Sequence, residues 1–165
     1  MTDEIPLRVE IRDLTPRPAV VVRLRAPTDR LGDLFDEFLP QVAKRISDLG
    51  GEPVGAPFGR YHAYGPDEVD VEIGVPVTVP VANLRSSDEA ERGEVASGEL
   101  PGGRVAVTVH RGAYETLNAT YKRLEAWLRE HGHTPGSAPW ESYIDDPGDM
   151  SNVADVRTEV VWPLA

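Results

Sequence analysis

Apolar and polar positions divide this chain into two similar runs of elements. Residues 19–25 (AVVVRLR) are rich in β-branched valine and suit a strand. Leu31, Leu34, Phe35, Phe38, Val42, Ile46 and Leu49 then recur at three- and four-residue intervals, which predicts one apolar face of a helix over 29–49. Pro40 lacks the N–H that a helix interior needs, so a kink or two shorter helices are expected there. Gly50 and Gly51 end the helical pattern. Strands follow near 56–64 and 69–77, with the turn between them at Pro66 and Asp67.

The second run repeats the order. A strand is predicted near 104–110, then a helix carrying Leu117, Tyr121, Leu124, Trp127 and Leu128 on one face, with Gly132 as its C-terminal cap. Strands near 140–144 and 158–163 flank the polar loop DDPGDMSNVAD. An alternating apolar segment precedes each run, near 7–14 and 95–100.

Short sequence matches support a duplication. APFGRY at 56–61 matches APWESY at 138–143 with an offset of 82. VEIGVPV at 71–77 matches TEVVWPL at 158–164, and AVVV at 19–22 matches AVTV at 106–109, both with an offset of 87. Their common order predicts two copies of a strand–helix–strand–strand unit, approximately 1–80 and 93–165. The expected fold is α+β: an antiparallel sheet with two main helices, built from tandem βαββ units with pseudo-twofold symmetry. Residues 81–94 are polar and link the halves. The halves are small, so one domain over 1–165 is expected. A groove between the units is the natural place for a small-molecule pocket.

Composition narrows the chemistry. Net charge is −11, from 17 basic and 28 acidic residues in a chain of 165. Such a surface repels phosphate backbones and argues against direct nucleic-acid binding. It favours cationic small molecules, and it also serves solubility. There is no cysteine, which excludes disulfides and thiolate sites and fits a reducing cytoplasm. The acidic start MTDEIPLRVEIRD carries no leader-like apolar run, and no stretch has a membrane span's ~18 apolar residues. His62, His110, His131 and His133 form no ligand motif, and no phosphate loop or serine-nucleophile elbow is present. No metal and no cofactor are therefore expected.

The second half also carries a family resemblance. VHRGAYETLNATYKRLEAWLREHG is followed by APWESYIDDP and then by TEVVWPL. This series resembles the GyrI-like, or AraC-type effector-binding, small-molecule-binding domains. Their marks are an H-x-G-x-Y turn, an aromatic residue before a central glutamate, an E-x-Y-x-x-D-P run and a final T-E-hydrophobic-x-x-P segment. The matching residues are His110, Gly112, Tyr114, Trp140, Glu141, Tyr143, Asp146, Pro147, Thr158, Glu159 and Pro163. The resemblance implies tandem SHS2 repeats. Family members often follow DNA-binding domains in multidrug-responsive regulators, for which this chain has no room, so a stand-alone form is expected. Some stand-alone relatives are described as gyrase-inhibitory or toxin-protective, and some hydrolyse cyclopropane-bearing genotoxins.

The resemblance and the repeat together centre the site on Glu141. Its counterpart is Gly59, whose missing side chain is expected to leave volume for a ligand. Strand alternation puts Tyr143 on the same side as Glu141, with Tyr61 as its counterpart. A buried carboxylate without a partner takes up a proton or awaits a cation. The alternative is an exposed strand glutamate. Tyr143 and Tyr61 offer hydroxyls and ring faces, or ordinary sheet packing. Trp140 and Phe58 are equivalent and are expected on the helix-facing side, as packing residues or ligand contacts. Trp127 and Tyr121 read as core, with Trp127 a possible pocket wall, and Trp162 matches Val75 as core or rim. Tyr114 caps or lines the turn that Gly112 permits, and His110 reads as a structural turn residue.

Three functions fit these residues. The first is binding of a lipophilic, aromatic or cationic small molecule between the repeats, for sequestration or sensing. The second is hydrolysis of a strained cyclopropane, with Glu141 as general base and Tyr143 or Tyr61 positioning water or an oxyanion. The third is an acidic interaction module for a separate protein partner such as gyrase.

Overall fold

The structure is a computed structural model and describes residues 7–165. The acidic residues 1–6, read above as free of a leader, lie outside the described residues. Ten main elements follow one another. They are β1 (Glu10–Leu14), β2 (Arg17–Pro27), α1 (Leu31–Asp48), β3 (Phe58–Tyr64), β4 (Glu68–Pro76), β5 (Val95–Leu100), β6 (Gly103–Arg111), α2 (Leu117–Glu130), β7 (Trp140–Tyr143) and β8 (Arg157–Pro163). The eight strands form one antiparallel sheet in the order β1-β6-β8-β7-β3-β4-β2-β5.

α1 is one continuous helix through Pro40, so the alternative of two shorter helices does not hold. Pro40 is exposed, so its missing hydrogen bond falls on the water side. Val42 and Ile46 after it are fully buried, whereas Phe35 and Phe38 before it are only partly buried against the same core. α2 ends at its predicted cap, where Gly132 has φ of +77°.

The repeat is real, but the AVVV/AVTV match is out by one residue. β2 pairs Val22 with Ile73, and β6 pairs Thr108 with Val160. Ile73 and Val160 are equivalent, both buried against their own helix. Val22 therefore corresponds to Thr108, an offset of 86 rather than 87. The similarity AVVV/AVTV conceals this, because a one-residue slip exchanges the two faces of a strand. The same offset of 86 relates Leu31 to Leu117 at the helix starts.

The ends of the sheet curl towards each other. Only Thr15 and Pro16 join β1 to β2, and only Pro101 and Gly102 join β5 to β6. Yet β1 pairs with β6 and β5 with β2, at opposite ends of the strand order. Such links span at most about 10 Å, so the two sheet ends must come close. A Cβ on Gly102 would lie 2.7 Å from Pro16 Cδ and 2.8 Å from the Leu14 carbonyl, so the two links touch. The result is a half-barrel. Each unit's leading strand is donated to the other unit.

Three cores result. α1 packs on Val20, Val22, Val71 and Ile73, and α2 packs on Ala106 and Val160. The third core fills the inside of the curl with Ala19, Val21, Phe58, Val105, Val107, Trp140 and Val161. Phe58 and Trp140 thus lie on the face away from the helices, which corrects their expected facing. Alternation explains it: Gly59 and Glu141 take the helix side, so their neighbours take the other. Full burial makes each ring worth about 2–3 kcal/mol to the fold.

A polar cluster closes one end of that inner face. Asp70 is buried and accepts hydrogen bonds from Arg23 (3.0 Å, twice), Arg92 (2.9 Å) and Arg25 (3.3 Å). Burial raises the Asp70 pKa, but the arginines outweigh it and hold the carboxyl well below the usual range. Arg92 belongs to the linker, and Gly93 N–H also bonds the Arg23 carbonyl at 3.0 Å. The predicted linker is therefore tied down on the first unit.

Candidate functional site

The two units meet where β3 pairs with β7, and Gly59 sits directly opposite Glu141. Both face the helices. Glu141 is only 6 % exposed, yet its carboxylate is met by hydroxyls alone in the resolved hydrogen bonds. Tyr121 Oη donates to Oε2 at 2.8 Å and Tyr143 Oη donates to Oε1 at 2.9 Å. Tyr61 Oη is 3.5 Å from Oε1 and 3.2 Å from Tyr143 Oη. The geometry suits a relay in which Tyr61 donates to Tyr143 and Tyr143 donates to Glu141.

These groups shift one another's protonation. Burial raises the Glu141 pKa, and the bonds from Tyr121, Tyr143 and Tyr61 partly offset that rise. Tyr61, Tyr121 and Tyr143 are all pushed up, first by burial and also by the adjacent Glu141 carboxylate. The tyrosines are therefore neutral donors at physiological pH.

Pseudo-symmetry organises the site. With the offset of 86, Tyr121 on α2 corresponds to Phe35 on α1. Tyr121 reaches over Glu141, and Phe35 reaches over Gly59. A Cβ at Gly59 would lie 2.7 Å from Phe35 Cζ and 3.0 Å from Tyr143 Oη. The space expected for a ligand beside Gly59 is thus taken by the Phe35 ring. That ring also stands edge-on to Tyr143, with centroids 5.3 Å apart and planes at 86°.

Two more rings frame the cluster. Tyr114 packs on Tyr143 at 5.6 Å and Tyr64 packs on Tyr61 at 5.6 Å. Both are substantially exposed, at 40 % and 55 %, so they stand between the cluster and water. His110 fixes the turn that carries Tyr114. Its Nε2 lies 2.9 Å from the Ala113 carbonyl, which only accepts, so Nε2 carries the proton. Its Nδ1 then accepts from Thr120 Oγ1 at 2.6 Å. Gly112 has φ of +119°, which favours glycine in this turn, and its N–H bonds the Val156 carbonyl at 2.8 Å. Thr158 lies buried between His110 and Tyr143 across the ladder.

The structure therefore brings together Glu141, Tyr143, Tyr61, Gly59 and Tyr114. It separates Trp140 and Phe58, which lie beneath the sheet, and Trp127, whose ring stacks on His131 at 3.9 Å. Phe35, Tyr121 and Tyr64 were not singled out as site residues. A signal for Tyr121 was present: a phenol on an apolar helix face must place its hydroxyl somewhere. An open cleft of about 540 Å³ lies elsewhere, between α1 and residues 83–95, and none of the clustered tyrosines lines it. Among the described residues no three carboxylate or imidazole groups gather as a metal site.

Comparison with known proteins agrees with this architecture. The sequence signature of the GyrI-like small molecule binding domain matches residues 8–165. The chain belongs to the GyrI-like family. The C-terminal domain of EcmrR superposes on this GyrI-like domain with a TM-score of 0.78 and 20 % identity, covering 98 % of this chain and 99 % of that one. In the EcmrR–DNA complex the match, with a TM-score of 0.77 and 20 % identity, spans 95 % of this chain but 57 % of that one. A hydrolase encoded by lin2189 from Listeria innocua matches with a TM-score of 0.67 and 12 % identity over 96 % of this chain and 92 % of its own. SAV2435 bound to tetraphenylphosphonium matches with a TM-score of 0.61 and 14 % identity over 96 % and 94 %. At these identities the likeness establishes the fold alone. No curated protein sequence matches the chain. Small-molecule binding is thus the function supported at family level, and no helix among the described residues is long and apolar enough to cross a membrane.

Proposed function

We propose that this GyrI-like domain binds a lipophilic aromatic cation, with Glu141 as its counter-charge and the surrounding tyrosines as its walls. One observation carries the reading: a buried carboxylate whose ionised form is favoured by three neutral hydroxyls. Hydroxyls stabilise a charge less than a cation does, so a bound cation recovers part of the desolvation cost of Glu141. Tyrosine faces add cation–π attraction of about 1–2 kcal/mol where water is excluded. The tetraphenylphosphonium held by SAV2435 belongs to this chemical class. Sequestration and sensing both follow from such a pocket.

Isothermal titration with tetraphenylphosphonium tests the reading. Binding to the wild type is expected to weaken roughly tenfold or more in Glu141→Gln, about 1.4 kcal/mol. Equal affinity in the two proteins would remove the charge role.

A second reading has its own observation. Burial raises the Glu141 pKa towards that of a useful general base, and Tyr143 lies 2.9 Å away as a donor. In this reading Glu141 takes a proton from water attacking a strained cyclopropane carbon. A tyrosine hydroxyl then stabilises the oxyanion that forms as the ring opens. Product analysis on a cyclopropane-bearing dienone decides it: ring-opened product that vanishes in Glu141→Gln with binding retained supports turnover, and unchanged substrate with the wild type excludes it.

A further inference from the structure

We infer that Phe35 is an internal occupant of the binding site, a phenyl group that a ligand's own aromatic ring must displace. The inference rests on the aromatic-cation reading and adds to it the shape of the ligand: a single aryl ring with its cationic centre one or two bonds away.

The niche is built for a ring. Gly59 has no side chain, and even a methyl there would collide with Phe35 Cζ. Tyr143 meets the ring edge-on at 5.3 Å, a favourable aromatic arrangement. Gly59 and Glu141 are directly paired across β3 and β7, so the ring niche lies next to the carboxylate. Directly opposed residues have side chains about 5 Å apart. An aryl group in the niche thus places a benzylic cation beside Glu141. Phe35 supplies the aryl half of that ligand and leaves the charge unmatched.

Phe35 also belongs to the less buried half of α1. The only fully buried residues of α1 are Val42 and Ile46, both after Pro40. Before Pro40, Leu31, Leu34, Phe35, Phe38 and Leu39 are all only partly buried. Pro40 donates no hydrogen bond to the Asp36 carbonyl, so the first half of α1 is coupled to the second by one bond fewer. The segment 31–39 shifts while Val42 and Ile46 hold the rest of the helix on the sheet.

Benzyltrimethylammonium is the probe, titrated calorimetrically and by thermal shift into the wild type, Phe35→Ala, Phe35→Leu and Phe35→Ala/Glu141→Gln. Emptying the niche removes the competition, so Phe35→Ala is expected to bind roughly tenfold tighter than the wild type. Its melting temperature, lowered by the cavity, is expected to recover with the probe far more than that of the wild type. Phe35→Leu is expected to fall between the two and keeps the test open should the alanine variant not fold. Addition of Glu141→Gln is expected to abolish most of the gain. Equal affinity in the wild type, Phe35→Ala and Phe35→Leu, with the Glu141 dependence intact, would overturn the role of Phe35 and leave the cation reading standing. A tighter Phe35→Ala complex that ignores Glu141→Gln would uphold the niche and overturn the charge. Binding by none of these proteins would overturn both.

Discussion

Glu141 and Tyr121 form the shortest contact of the cluster, 2.8 Å, and each answers a problem the other has. The carboxylate is buried and the phenol lies on an apolar helix face. Tyr121→Phe removes that bond and strands Oε2. A loss of about 1–3 kcal/mol in denaturant unfolding is expected. Because the Tyr121 bond lowers the Glu141 pKa, its removal pushes that pKa further up. The sign of the pH effect follows. A carboxyl whose folded pKa exceeds its unfolded value binds its proton more tightly when folded. Its contribution favours the fold at low pH and is lost as pH rises from the ordinary value, 4.5, through the folded one. Wild-type stability should therefore decline over this range by more than that of Glu141→Gln. Parallel pH–stability curves for the two proteins would show that Glu141 ionises in the folded state without penalty.

Most elements were legible in the sequence because their apolar periods differ: two for the strands, near 3.6 for the helices. Both helices, the turn at Pro66 and Asp67 and the cap at Gly132 follow from those patterns and from local chemistry. Facing was harder. The valines of 19–22 are all buried, so alternation is invisible there and the AVVV/AVTV match settled one residue out of register. With that slip, Phe35 loses its correspondence to Tyr121 and the two-ring symmetry of the site disappears from view. Trp140 was misplaced for a related reason: a sheet buried on both sides does not tell which face meets a helix. Asp70 was likewise hidden, since an acid within the strand pattern EVDVEIG reads as a surface residue until the sheet curls over it. Asp70→Asn should cost about 1–3 kcal/mol, limited because its arginine partners are 40–56 % exposed. Its folded pKa lies below the unfolded value, so this stabilisation is present above about pH 4 and is lost as pH falls further. Urea midpoints at pH 7 and pH 3 check this: the gap between wild type and variant should shrink at the lower pH.

Across the whole molecule, the exchange of leading strands decides whether the repeats behave as separate bodies. β1 covers the edge strand β6 of the second unit, pairing Glu10 with Val107 and Leu14 with Gly103. β5 covers β2 of the first unit in the same way, pairing Arg17 with Leu100 and Val22 with Val95. Neither unit owns the strand that shields its own edge. The inner core is shared too: Ala19, Val21 and Phe58 come from one unit and Val105, Trp140 and Val161 from the other. Leu100 belongs in sequence to the second unit but packs in that core beside β2. A piece that loses its partner thus exposes an unpaired edge and an apolar face together, a combination that promotes aggregation. We propose that residues 1–165 fold as one cooperative domain. Heat or urea should give a single transition, coincident by backbone circular dichroism and by tryptophan fluorescence. That coincidence is informative because all three tryptophans, Trp127, Trp140 and Trp162, lie in the second unit, whereas circular dichroism reports both. If the halves melt independently, fluorescence and circular dichroism separate. Residues 93–165 made alone provide the sharper test. They retain β5 but lack β1 and the β3 neighbour of Glu141, so they should aggregate or remain unfolded until residues 1–80 are added. A soluble, folded 93–165 fragment with native tryptophan emission would show that the duplication still carries two self-sufficient halves.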